Sequence, residues 1–303
     1  MQGLLIVSGF VQEQNFIRLH EALLRAAQAR GIGLRLCPHD RLLFDAANGA
    51  PVVPLPPADF ALFWDKDIRL AAQLEQTGLR LFNSAAAIAA CDDKLVTHMA
   101  LAQAGVPQPK TLRVPTTYPH VGYGDMSFLG AAIAYLGLPL IIKECRGSFG
   151  AQVYLAQSQG EAEAILRAHE ASPMLLQQFV AHSAGRDMRL YVVGGAVLAA
   201  IQRRNTKDFR ANISNGGEAF AYTPTEAERA LALRAAQLLG LDFAGVDLLY
   251  GEEGPLLCEV NSNAHFCGLA QATGCDIAGG ILRHVQNELA CPRPAPARYR
   301  KEL

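Results

Sequence analysis

The chain has 303 residues, 50% hydrophobic and 18% charged, which excludes a disordered polymer and provides for two or three packed units. A formal charge of −1 gives no long-range field for polyanions, so neither nucleic acid nor an anionic membrane is expected as a general partner, and phosphate recognition must be local. Seven scattered cysteines, odd in number and without a CxxC pair, suggest neither a disulfide framework nor a thiolate zinc site, and read as reduced, mostly buried thiols.

The N-terminal MQGLLIVSGF lacks the layout of a signal peptide, and LLIVS reads as a first strand. Phe16, Leu19, Leu23, Leu24 and Ala27 recur at helical spacing up to Gly31, and GLRLC and ADFALFW follow as further strands, the rhythm of a parallel sheet. PVVPLPP (51–57) is a loop, and LRLFN (79–83) is the last strand of this unit. Ser84 and Asp92 are expected to cap two helices, the second ending near Gly105, with a boundary between 84 and 110. The segment 115–123 reads as an irregular loop, and the uncharged run from Met126 to Ile142 is broken by Gly137 and Pro139 short of a membrane span. A soluble cytoplasmic protein is expected.

From Leu138 the texture becomes antiparallel. LPLIIKE and AQVYLAQ form a hairpin around CRGSFG, a helix covers Glu161 to Glu170, and MLLQQFV is a strand. DMRLYVV and AVLAAIQ pair through Gly194 and Gly195. After the polar RRNTKDFRANISNGG come a helix from Thr225 to Leu239, a hairpin of FAGVDLLY with PLLCEVN, a helix from Ile277 to Leu289, and the biased tail CPRPAPARYRKEL.

The last hairpin carries chemistry. Alternation puts Glu259 and Asn261 on one face of a strand, with Cys258 and Val260 on the other. If residue 251 faces 255, Asp247 faces Glu259, and like charges so opposed repel. Either both carboxylates are solvated or the register differs by one, or Asp247, Glu259 and Asn261 converge on a hard cation such as Mg²⁺. The apolar neighbours favour the cation, because buried carboxylates need compensation. Neither GxxxxGK[ST] nor GxGxxG occurs. Lys143, just before the glycines at 147 and 150, is the candidate phosphate contact, with Arg189, Arg203, Arg210 and Asn212 downstream.

The motifs KECRGSFGAQ, LLQQFV, AGRDMRLYVVGGAVLAAIQRR, DFRANISNGG, GVDLL, CEVNSN and TGCDIAG, in this order and spacing, resemble the ATP-grasp ligases of the RimK-like branch. These are enzymes that add glutamate to a ribosomal protein tail, to the deazaflavin cofactor or to amino-group carriers. The resemblance runs from about Cys91 to the last helix, and the first 85 or so residues fit a pre-ATP-grasp domain more loosely. It implies an α+β ATP-grasp fold with a Rossmann-like N-terminal domain at 1–90, a central subdomain at 91–185 and a C-terminal subdomain at 186–303.

By the same resemblance, Lys94 and Lys143 would contact the phosphates of ATP, and Gly147, Ser148, Phe149 and Gly150 would close over them. Gln177, Gln178, Phe179 and Val180 would offer backbone groups to adenine, with Asp187 near the ribose or the neighbouring shell. Arg210 and Asn212 would face phosphates and metal, and Arg189 and Arg203 would handle phosphate or an acyl-phosphate. Asp247, Glu259 and Asn261 match the family's magnesium ligands, with Mn²⁺ as the alternative ion. The hinge position that is commonly acidic in the family is Gln178 here, and SNAHFCG replaces the usual continuation after EVN.

The implied reaction is ATP-dependent joining of a small-molecule or peptide carboxylate to an amino-acid amine through an acyl-phosphate, releasing ADP and phosphate. A kinase-like phosphotransferase and a non-catalytic nucleotide-binding protein are the competing readings. His265 could act as a base toward the amine or be structural, Cys145 and Cys267 read as packing thiols, and 113–130 carries no readable chemistry. Substrate identity and a homo-oligomeric state are left open.

Overall fold

The computed structural model describes residues 1–118, 120–148 and 150–291; Pro119, Phe149 and the tail from 292 lie outside the described residues. Strand β1 (Gln2–Val7) opens a parallel four-stranded sheet, five of its six residues being buried. Helix α1 (Gln14–Gln28) turns Leu19, Leu23 and Ala27 to the core, a spacing of four that keeps them on one face. Then follow β2 (Gly33–Pro38), β3 (Phe60–Trp64), α2 (Ile68–Gln76) and β4 (Arg80–Phe82), giving the order β2-β1-β3-β4.

Helix α3 (Ala85–Asp92) is capped by Ser84, whose hydroxyl accepts from Ala87 N, as expected. Helix α4 (Lys94–Gln103) is capped by Asp93 and not by Asp92, because Asp93 Oδ1 is the atom that reaches Leu95 N and Val96 N, at 3.0 and 3.2 Å. That shift makes Lys94 the first helical residue, and its N–H is tied to the Cys145 carbonyl at 2.8 Å.

The second sheet is antiparallel. It combines β5 (Thr111–Arg113), β6 (Leu140–Glu144), β7 (Val153–Ala156) and β8 (Met174–Gln178) in the order β5-β8-β6-β7, covered by α5 (Phe128–Leu136) and α6 (Gln159–Ala168). The run at 126–142 is thus a helix followed by a strand, where its nearly uniform apolarity had hidden the helical period.

The third sheet, also antiparallel, orders β11-β10-β9-β12-β13 from β9 (Arg186–Val193), β10 (Ala196–Arg204), β11 (Glu218–Ala221), β12 (Phe243–Tyr250) and β13 (Pro255–Asn261). Helix α7 (Glu226–Leu238) packs on it behind a capping box of Thr225 and Glu228. Helices α8 (Cys267–Thr273) and α9 (Ile277–Ala290) close the chain. Of the seven cysteines, all free, only Cys37, Cys91 and Cys145 are buried, fewer than composition suggested.

One core joins the first and third sheets: Leu5, Phe60 and Phe82 share a cluster with Tyr191, Phe243 and Phe266, and Trp64 stacks on Phe243 at 5.1 Å. A single buried amide pins this junction. Asn83 Oδ1 accepts from Asp242 N at 2.7 Å and Phe243 N at 3.2 Å, and its Nδ2 donates to the carbonyls of Phe243 and Ser262, both at 2.9 Å. Beside it, Asp242 is paired with Arg80 and His284 at 3.1 and 3.0 Å.

Candidate functional site

A cleft, open at its mouth, lies between the second and third sheets. Its lining includes Lys94, Lys143, Gly147, Ser148, Gly150, Gln177, Gln178, Phe179, Val180, Asp187, Arg203, Arg210, Asn212, Asp247 and Glu259. Residues from positions 94 to 259 of the chain therefore meet at one place. Arg189 and Asn261 are not part of the lining, and Phe149 is not among the described residues.

The hairpin of β12 and β13 supplies the acidic wall, and its register is only half the expected one. Tyr250 faces Pro255 and Leu248 faces Leu257, one residue off the expected pairing. A bulge at Cys258 then restores it, so that Asp247 faces Glu259. The bulge also breaks the side-chain alternation, so Cys258 and Glu259 both border the cleft instead of taking opposite faces.

The opposition of Asp247 and Glu259 is resolved by cations. Arg189 donates twice to Asp247, each bond 2.6 Å long, and Arg203 Nη2 reaches the same carboxylate at 3.0 Å. Arg203 also grips Asp187 through two bonds of 2.6 Å. Asp187, Arg203, Asp247 and Arg189 form one continuous chain of charge. Burial pushes the Asp187 carboxyl up despite Arg203, whereas Arg189 and Arg203 overcome burial to hold Asp247 below its ordinary value. Asp187 and Asp247 raise Arg203 above its ordinary value against the effect of burial.

The opposite wall is basic and far less satisfied. Lys94 Nζ donates to the Gly147 carbonyl at 3.0 Å and lies 3.4 Å from Glu259. Lys143, 7% exposed, has the Cys258 thiol at 3.8 Å and no ion pair among the described residues. Burying an ammonium with so weak a partner is unfavourable unless an anion arrives. Above them, Arg210 donates to the Gly150 carbonyl at 2.8 Å while its other nitrogens hold Asp208. Gly150 has φ of +71°, and a Cβ there would stand 2.8 Å from Asn212 Oδ1, so the loop and Asn212 approach too closely for a side chain.

Divalent-ion chemistry has a partial seat here. Asp247, Glu259 and Asn261 offer the oxygen donors that hard cations take, and the buried Asn261 Nδ2 has no hydrogen-bond partner among the described residues. Among the described residues Glu259 is engaged only by Lys94, whereas two arginines already occupy Asp247.

At the hinge, the Gln178 N–H is committed to the Lys110 carbonyl at 2.9 Å and the Val180 carbonyl to Ser183 N at 2.9 Å. The SNAHFCG segment leaves the cleft for the first sheet. Asn263 donates to the Asp65 carbonyl at 2.7 Å, Tyr191 to the Ala264 carbonyl at 3.2 Å, and His265 meets the Phe16 ring edge-on at 4.2 Å. Burial, with Arg189 nearby, lowers the His265 imidazole to about 4, and it does not border the cleft.

Sequence reasoning did not find Ile141, Val153, Phe209 and Leu249, which line the cleft with apolar surface, nor Gln152, Ser183 and Arg186. No local signal separates these from ordinary strand and loop residues. Cys258 was in plain view, but the bulge that turns it inward was not.

A family model for the RimK-like ATP-grasp domain matches residues 91–285. Over 217 residues the chain is 38% identical to the ribosomal protein bS6--L-glutamate ligase of Escherichia fergusonii, covering 71% of this chain and 70% of that one. Over 229 residues it is 35% identical to a probable alpha-L-glutamate ligase of Parasynechococcus marenigrum, covering 74% of this chain but only 47% of that protein. Among solved structures, a RimK domain ATP-grasp protein from Sphaerobacter thermophilus superposes with a TM-score of 0.72 at 26% identity, over 93% of this chain and 98% of that one. A D-alanine--D-alanine ligase from Bacillus anthracis complexed with ATP gives 0.71 at 17% identity, over 96% and 97% of the two chains, a likeness of fold. No helix among the described residues is long and apolar enough to cross a membrane.

Proposed function

Because the chain belongs to the RimK-like ATP-grasp family of ATP-dependent carboxylate-amine ligases, we propose that its cleft holds Mg²⁺·ATP and joins an amino-acid amine to a small-molecule or peptide carboxylate. The observation that carries the reading is Lys143, a buried ammonium at the cleft wall that, among the described residues, has no carboxylate of its own. A phosphate chain supplies the missing anion. L-Glutamate is the first amine to test, on the strength of the named relatives.

In this reading Lys94 and Lys143 bind the β- and γ-phosphates, and the backbone amides at Gly147 and Gly150 cover them. Arg210 and Asn212 hold that loop from the far side. Asp187, Arg203, Asp247 and Arg189 keep a fixed, mutually paired arrangement of charges beside the place where the acyl-phosphate forms, without rearranging during the reaction. Glu259 and Asn261, with Asp247 as the less available third donor, would hold a divalent ion, Mg²⁺ or Mn²⁺, whose charge would neutralise that of the phosphates. The substrate carboxylate attacks the γ-phosphorus, ADP leaves, and the amine displaces phosphate to form the amide. Protein groups position and neutralise, and no serine or cysteine nucleophile is required.

The division at 1–90, 91–185 and 186–303 belongs to the same proposal, supported by the three separate sheets. The testing experiment follows ADP and phosphate release with and without each substrate. Release that needs both, and is abolished in Glu259→Ala, is the expected result; a stable phosphorylated product would instead mark a kinase.

A further inference from the structure

Among the described residues the first sheet supplies none of the cleft lining, yet one of its loops touches a residue that does. In the order β2-β1-β3-β4 the strand sequence reverses direction between β1 and β3, and open α/β sheets take ligands outside the carboxyl ends of strands at such a point. Residues 65–67 follow the end of β3 there. Asp65 Oδ1 accepts from the N–H groups of Lys66 and Asp67, at 2.7 and 2.8 Å, and the Asp65 carbonyl accepts from Asn263 Nδ2 at 2.7 Å. Asp67 in turn caps α2 through Leu70 N at 3.0 Å. The backbone that carries Lys66 is thus fixed on both sides. Its Nζ donates to Ser148 Oγ at 3.1 Å and lies 3.2 Å from Asp92 Oδ1, with Arg146 a more distant second cation on Asp92 at 3.8 Å.

An ammonium only donates, so the Ser148 oxygen is the acceptor in that contact. The hydroxyl proton is left to point elsewhere, and it has no acceptor among the described residues. Ser148 borders the cleft, and the residue before it marks which end: the Gly147 carbonyl accepts from Lys94, which stands 3.4 Å from Glu259 at the proposed seat of the divalent ion. The missing acceptor therefore belongs at the end of the cleft where the terminal phosphate lies when ATP is bound.

We propose that Lys66, held by Asp92, is a positioning residue for phosphoryl transfer, committing the Ser148 hydroxyl to donate to the terminal phosphate of ATP. The inference rests on the reading of the cleft as the ATP site. Without the ammonium, the hydroxyl is free to turn its proton to water or to a backbone carbonyl, and a charge-assisted donor is lost. ADP has no terminal phosphate, so the contribution separates the two nucleotides. A lysine that only tied the first sheet to the loop would affect both alike.

The experiment is calorimetric titration of the full chain, with Mg²⁺, against ADP and the non-hydrolysable imidotriphosphate of adenosine. The Lys66 side chain is 45% exposed, so its replacement should leave the fold intact. Lys66→Met and Ser148→Ala should each weaken the triphosphate about three- to tenfold and leave ADP binding unchanged. The double variant should bind no more weakly than either single one, because both act through one contact, and Lys66→Arg should recover most of the loss. Equal weakening of both nucleotides, additive losses in the double variant, or a triphosphate affinity unmoved in Lys66→Met overturns the proposal. Should Lys66→Met not fold, Ser148→Ala and Asp92→Asn on the same two nucleotides decide the matter, and a triphosphate affinity unmoved in both overturns it. If neither nucleotide binds to wild type, the reading of the cleft falls first and takes this inference with it; if both bind and the variants match wild type, this inference alone falls.

Discussion

Two sets of buried charge line the cleft, built on opposite terms. On the third sheet, Asp187, Arg203, Asp247 and Arg189 neutralise one another through bonds of 2.6 to 3.0 Å. On the other wall, Lys94 and Lys143 have a carbonyl, a more distant carboxylate and a thiol between them. The first set is complete as it stands. The second is an ammonium pair awaiting an anion. Rigid pre-organisation and ligand demand are thus separated in space, and mutations on the two walls should fail differently.

The sharpest contrast comes from removing one cation on each side. Arg203→Met leaves two buried carboxylates short of a partner and should destabilise the fold by about 3–5 kcal/mol in denaturant titration. Lys143→Met should hold or raise Tm while weakening ATP binding roughly 10- to 100-fold by calorimetry, the worth of a charged hydrogen bond. If Lys143→Met lost stability instead, the distinction between the walls would fail.

Two histidines outside the cleft lining have imidazoles that burial lowers from 6.5 to about 4, His98 behind the second sheet and His265 near Arg189. Between those values the unfolded chain binds protons that the folded one does not, so stability is lost as pH falls from 6.5 toward 4. Melting curves should show that decline, and His98→Leu and His265→Phe should each flatten it. The smallest effect concerns presentation of Lys94: Asp93→Ala removes the α4 cap at about 1 kcal/mol and should weaken ATP binding only severalfold.

The same contrast separates what was legible in the sequence from what was not. Strands rich in β-branched and aliphatic residues, the Ser84 cap and the α7 helix were readable because their signals are local. The motifs from Cys91 onward were readable because they retain a shared order, and the family model begins at the same residue. Asp247 stood out as a carboxylate in an apolar strand, but its partner did not, since Arg189 and Asp247 are 58 positions apart. The contact between His98 and Gln177 was invisible for the same reason, with 79 positions between them. The bulge at Cys258 has no turn residue to announce it. Helix α5 escaped because FLGAAIAYL is apolar all round, and β11 because four residues after a polar stretch carry too little pattern.

The account stands on ligation through an acyl-phosphate in this cleft, and following an isotope tests it most directly. Candidate carboxylates labelled with ¹⁸O, amino acids and short acidic peptides alike, are incubated with L-glutamate, Mg²⁺ and ATP, and products are weighed by mass spectrometry. The account predicts a conjugate one water lighter than the sum of its parts, together with inorganic phosphate carrying one labelled oxygen. Unlabelled phosphate, or ADP formed at the same rate without any carboxylate, would contradict it.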